Sequence, residues 1–289
     1  MTPGRLAEVL GAPPVPRGTW EREALYVSTA ALRHGERAGE RAAELALRLR
    51  ALPGIEEVRV RPGGFLEIVV AVPGELVGEA GAALPGAAPP GGVLPDQALP
   101  GAVLPDQPLP DRVLSGAALP DPVLPDPVLP GAGRSGDAAE GRGAPGPPEP
   151  RGPSPWPQGT PWSPGTWDNP GFVVGYAHAR AVAVRRWAAE LGVAGAFRPE
   201  LLADRWDRAV LRALAEAPGR RVSRDPGWAA YAERLALAYH DAFERAPALP
   251  RGDEAVSALH VARVRLAGAV REVLAEAMAE VGVIPPDRL

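Results

Sequence analysis

The chain has 289 residues, enough for one large or two ordinary domains that each bury a core. It contains no Cys, which excludes a disulfide framework, a thiolate metal site and a cysteine nucleophile. All 31 basic residues are Arg, so a P-loop and a Schiff-base lysine are also excluded, and the formal net charge of −4 is far from that of a strongly basic nucleic-acid binder.

The opening stretch, MTPGRLAEVLGAPPVPRGTW, has no continuous apolar run of signal-peptide length, and no later run approaches a membrane span. The expectation is a soluble, cytoplasmic protein without a membrane partner. TWEREALYVSTAAL and ERAGERAAELALRLRAL read as helices, the second with Ala43, Leu45, Leu47 and Leu49 among Arg and Glu. PGIEEVRVRPGGFLEIVVAV then switches to a period of two. Val58 and Val60 alternate with Arg59 and Arg61, Pro62-Gly63-Gly64 supplies a turn, and Leu66, Ile68 and Val70 alternate on the return, which predicts a β-hairpin beside a helix.

Residues 81–170 hold 23 of the 37 prolines. Leu recurs every fifth residue from Leu94 to Leu129, usually followed by Pro, as in VLPDQALPGAVLPDQPLP. Proline at this density removes ladder donors and blocks helix interiors, so the segment reads as an extended, acidic, disordered tether. Charge follows the same division: ten Arg against eleven acids over 1–80, four against nine over 81–170, and 17 against 15 over 171–289. Within SPWPQGTPWSPGTWDNP, Trp156, Trp162 and Trp167 either fold back onto the following region or anchor a protein partner.

Beyond the tether the pattern is helical, with segments at about 170–191, 199–217, 226–246 and 253–281 separated by Pro- or Gly-containing turns. The chain as a whole is therefore mainly α. It divides into an α+β domain over 1–76, a Pro/Gly-rich linker over 77–166 and an all-α helical bundle over 167–289. On a helix starting near 170, Phe172, Tyr176, Arg180, Ala183 and Trp187 share one stripe. That stripe reads as a core face with Arg180 at its edge, or as a surface where Tyr176 stacks on a base and Arg180 pairs with phosphate. His178 and His240 read as hydrogen-bonded structural histidines. His260, Arg263 and Arg271 share one side of the last helix, either a small basic face for RNA phosphate or ordinary surface residues.

DNPGFVVGYAHARAV resembles the opening of the DALR-type anticodon-binding domain of arginyl-tRNA synthetases, whose first helix typically reads Asn-Pro-x-Tyr-Tyr-Val-Gln-Tyr-Ala-His-Ala-Arg. The similarity continues through LALAYHDAFERAPALPRGDE and LHVARVRLAGAVREVLAEAMAEVGVIPPDRL. Here Phe172 and Val173 stand at the family's paired Tyr, and Gly175 at its usual Gln. LPGIEEVRVRPGGFLEIVV resembles the end of the family's N-terminal additional domain, which helps to recognise the tRNA D-loop. The resemblance implies a base-contacting role for Phe65, with Glu67 where the family often has an amide.

Between these two regions a synthetase carries a nucleotide-binding catalytic core with a His-x-Gly-His-like motif. The histidines of this sequence, His34, His178, His240 and His260, lack the required neighbours, and without Lys there is no second ATP loop. The resemblance therefore implies a noncatalytic protein that binds tRNA, arginine tRNA in particular, and needs no cofactor or metal. Two other readings stay open: the noncatalytic part of a split ligase whose catalytic chain acts in trans, and a protein-interaction adaptor working through the Trp-rich segment.

Overall fold

The computed structural model describes residues 1–80, Trp156 and residues 161–289, all within one compact unit. The pentad repeats and most of the expected linker lie outside the described residues.

The chain starts in helix α1 (Pro3–Leu10), where the Thr2 hydroxyl accepts from the Arg5 amide and Gly11, at φ 74°, closes the last turn. Strands β1 (Val15–Arg17) and β2 (Ala24–Ser28) follow, then a 3-10 segment (Ala30–Arg37) leading into helix α2 (Ala38–Arg50). Strands β3 (Ile55–Arg61) and β4 (Phe65–Val70) complete an antiparallel sheet of order β1-β2-β4-β3, and helix α3 (Leu76–Ala80) ends the region. The predicted hairpin is present, pairing Val58 with Ile68 and Val60 with Leu66. Its turn needs glycine: Gly64 sits at φ 89°, and a Cβ there would come within 3.0 Å of Ala38 at the head of α2. Ala42, Leu45, Ala46 and Leu49 bury one face of α2 in the same apolar core as Val58, Leu66, Ile68 and Val70.

One expectation is overturned. TWEREALYVSTAAL does not form a helix, because Ala24, Tyr26 and Ser28 bury alternate side chains of β2. This strand lies between β1 and β4 and shares their ladders, so partners distant in sequence outweigh the helix propensity of Glu, Ala and Leu.

The second region is helical as predicted: α4 (Pro170–Glu190), α5 (Arg205–Leu214), the short α6 (Ala217–Arg221), α7 (Trp228–Arg245) and α8 (Ala258–Glu280). Helices α4, α7 and α8 pack on one another, and α5 packs on α7 and α8. Val174, Val184, Leu211, Leu235, Val270 and Leu274 lie in their core. At about 1.5–3 kcal/mol for each large apolar side chain, burial of this kind is the main stabilising contribution.

The two regions share one hydrophobic core. Helix α3 lies against α5 and α8, and the turn at Pro73–Glu75 approaches Pro199–Leu201 so closely that a Cβ on Gly74 would collide with the Pro199 carbonyl oxygen. Arg212 Nε donates to the Gly18 carbonyl at 3.0 Å, and Arg208 Nη1 reaches that of Trp20 at 3.5 Å.

Candidate functional site

The Asn-Pro that opens α4 has a physical role. Asn169 Oδ1 accepts from the Gly171 amide at 3.0 Å, satisfying a free donor of the first turn, while Pro170 occupies a position where no amide hydrogen is needed. The other end of the same buried amide, Nδ2, donates to the Pro161 and Pro164 carbonyls at 3.1 and 3.0 Å. One side chain thus starts the helix and ties down the Trp-containing segment before it. Trp156 is buried, and Trp162 packs directly over Gly175. Trp162 thus folds back onto α4, and Trp156 belongs to the apolar core.

Trp167 remains 56% exposed. Its indole stands edge-on to Phe172, Tyr176 and His240, with centroids 6.3, 6.0 and 4.9 Å away. Phe172 and Tyr176, one turn apart on α4, stack at 5.5 Å, and Tyr176 stacks in turn on His240 of α7 at 5.5 Å. The guanidinium of Arg180 lies 4.4 Å from the ring centroids of both Tyr176 and Phe243. Its Nη1 is 3.3 Å from His240 Nδ1 and 3.7 Å from Glu244 Oε1. The predicted stripe is therefore real as far as Arg180, and a histidine and two further aromatics from other segments complete it.

His240 has a defined tautomer. The Val173 carbonyl, 3.1 Å from Nε2, can only accept, and the guanidinium at Nδ1 can only donate, so the proton sits on Nε2. Burial, helped by the Arg180 charge, pushes its pKa down to about 4. A histidine with a depressed pKa costs stability as pH falls, because the unfolded chain takes up the proton first. The expected result is that the ring shows no titration above about pH 5.5 in proton NMR, and that its stabilising neutrality is lost between about pH 6.5 and 4. A midpoint near 6.5 would contradict this account. His178, also structural, is buried and contacts the Pro286 carbonyl through Nδ1 at 2.8 Å, which holds the C-terminal tail against α4.

The other predicted residues are dispersed. His260 does not contribute to an exposed basic face. It is buried as the third residue of α8, where it completes a capping box with Ser257. Arg263 is likewise internal, its side chain 11% exposed and forked onto the carboxylate of Asp207, which is 1% exposed. Of that trio only Arg271 reaches the surface, beside Glu272. On the sheet, Phe65 is 39% exposed at the start of β4, and the Glu67 charge is compensated by Arg61 at 2.9 Å and Arg59 at 3.9 Å.

Trp167 was not among the residues the sequence singled out for RNA. The available signal was an aromatic two residues before a helix-capping Asn, a place where a side chain lies over the first turn. Together Trp167, Phe172, Tyr176 and Arg180 offer aromatic edges and faces backed by a guanidinium, a surface suited to an unpaired base. Among the described residues no group of three or more His, Asp or Glu side chains could hold a metal ion, and no helix is long and apolar enough to cross a membrane.

Residues 174–289 match the family model of the DALR anticodon binding domain. The match begins in the first turns of α4 and runs through α8. The arginine–tRNA ligase of Clavibacter sepedonicus is 46% identical over 131 residues, which cover 43% of this chain and 24% of that protein. The chain therefore matches about a quarter of the length of this curated relative.

Proposed function

We propose that this chain, which is related to the arginyl-tRNA synthetases, is a tRNA-binding protein that prefers arginine tRNA and does not aminoacylate it alone. The observation that carries the reading is the coincidence of the anticodon-binding family match with the bundle that bears the aromatic and Arg180 surface. Trp167 and Phe172 are the side chains placed to meet a base, with Tyr176 and Arg180 behind them; Phe65 is a second contact on the sheet.

Absence of a catalytic centre is supported by what the histidines do. Three of the four histidines, His178, His240 and His260, are committed to internal hydrogen bonds, His34 is exposed on the sheet region, and Lys is missing throughout. Because the matched part is only 24% of the relative, a second reading has a specific basis: another chain could supply the catalytic core in trans. Adding this protein to a catalytic-core preparation distinguishes the two, since a gain in arginine charging supports the split enzyme and no gain removes it.

Binding itself is tested by mobility shift of the full chain with arginine and non-arginine tRNAs at two salt concentrations, with Trp167→Ala alongside. The expected outcome is salt-sensitive binding that prefers arginine tRNA and weakens roughly tenfold or more in the variant, in line with about 1–3 kcal/mol for one base stack. If wild-type protein shifts no tRNA at low salt, the reading is wrong.

A further inference from the structure

The contact between the sheet region and the bundle concentrates positive charge in a chain whose overall charge is negative. From the sheet side come Arg17, at the end of β1, and Arg22, in the loop to β2; both are exposed, and neither makes a side-chain bond among the described residues. From the bundle come Arg208 and Arg212 on α5, Arg220 on α6 and Arg234 on α7. Arg208 and Arg212 reach across to the loop that Arg17 and Arg22 bracket, through the carbonyls of Trp20 and Gly18.

The compensation of these charges is incomplete. Arg208 spends its hydrogen bonds on the carbonyls of Ala203 and Trp20, which neutralise nothing. Arg212, Arg220 and Arg234 all converge on the single carboxylate of Glu216. Glu21 is the other acid in the loop, since Glu23 faces Arg59 on the sheet. Glu79 of α3 also lies here, acting with Arg212 on the buried Tyr26, so among the described residues these six guanidiniums stand against three carboxylates, a surplus of three positive charges. Asp204 and Arg205 at the head of α5 are adjacent opposite charges that leave this balance unchanged, the first capping the Trp206 amide and the second lying over the Trp206 ring. Arg forks suit phosphate, and a strip drawn from two regions follows a backbone better than one helix face does.

We propose that this seam is a binding surface for the sugar-phosphate backbone of RNA, made only when the sheet region is docked on the bundle. It rests on the tRNA-binding reading and places the phosphate contacts at the seam instead of along α8, where His260 and Arg263 are internal. Backbone contacts there carry affinity and orientation, while the aromatic surface around Trp167 meets bases.

The test uses the full chain carrying Arg17→Glu and Arg22→Glu, two exposed positions whose side chains hold nothing in the fold. Arg5→Glu with Arg48→Glu gives an equal charge change at exposed sites elsewhere. Binding to tRNA is followed across salt concentrations, with thermal melts to show that each variant is folded. The seam variant should lose more than about tenfold in affinity and lower the slope of log K against log salt by about 1.5–2, whereas the control keeps most of both. The neutral pair Arg17→Gln and Arg22→Gln should fall between. If wild type binds and the seam variant binds with an unchanged slope, or if seam and control lose equally, the seam is not the surface and the tRNA reading survives. If wild-type protein binds no tRNA, both fall together.

Discussion

Arg263→Ala will cost the folded state about 3–5 kcal/mol, because it leaves Asp207 as an unpaired charge inside the bundle. Arg263 touches both carboxylate oxygens, at 3.1 and 3.2 Å from Nε and 3.1 Å from Nη2, and its Nη1 donates to the Pro247 carbonyl at 3.2 Å. The pair joins α5 to α8 and the turn after α7. Burial nevertheless outweighs the guanidinium's attraction, and the Asp207 pKa is pushed up to about 6. A carboxyl held above its unfolded value near 3.8 contributes stability that is full below that value and is lost as pH rises through about 6. A tenfold difference in proton affinity between the folded and unfolded chain corresponds to about 1.4 kcal/mol. Asp207→Asn should therefore flatten the pH dependence of stability between about pH 4 and 6, and urea melts at several pH values would show it. Asp207→Leu with Arg263→Met, which removes both charges, should recover most of what Arg263→Ala loses. A single-variant cost below about 1 kcal/mol would mean that water reaches the stranded carboxylate or that it has taken up a proton.

Gly175→Gln, which installs the side chain usual in the related synthetases, should lower stability by about 1–3 kcal/mol and lift Trp162 off α4. A Cβ at this position would collide with Trp162 Cε3 and lie 2.5 Å from Cζ3, too close for any rearrangement short of moving the indole. In an exposed helix, replacing Gly stabilises by up to about 1 kcal/mol, so the sign of the change reports the contact. Combined with Trp162→Ala, the substitution should cost less than the sum of the two single changes, since the clash then has no partner. Should Gly175→Ala melt at or above the wild-type midpoint, the indole is not held there.

That contact also explains a departure from the family pattern. Gly175 and Val173 are both buried, the first beneath Trp162 and the second with its carbonyl engaged by His240. Neither presents a side chain to solvent, and what the structure shows at both positions is packing. Under the proposed tRNA binding, the exposed members of the cluster, Trp167 first, are where differences in RNA preference should be sought.

Periodicity made the hairpin, α2 and the helices of the bundle legible in the sequence, because each buries a face set by its own spacing. It could not find β2, whose state is decided by ladders to β1 and to β4, some forty residues later. The aromatic stripe was readable on α4, but not its covering. His240, Phe243 and Trp167 come from other segments, and nothing local marks Arg180 as a guanidinium held between two rings. The supposed basic face of α8 failed for a related reason. Asp207 and Ser257 turn two of its three members inward, and only packing reveals such partners.

A continuous apolar core from the sheet to α8 has a thermodynamic corollary. Residues near opposite ends of the chain should melt as one calorimetric unit, and a defect at Leu66 or Ile68 should be felt as slackness around α5 and α8. Under the proposed tRNA binding, loss of an RNA contact on the bundle and loss of support from the sheet would then give the same phenotype, separated by the enthalpy of the transition.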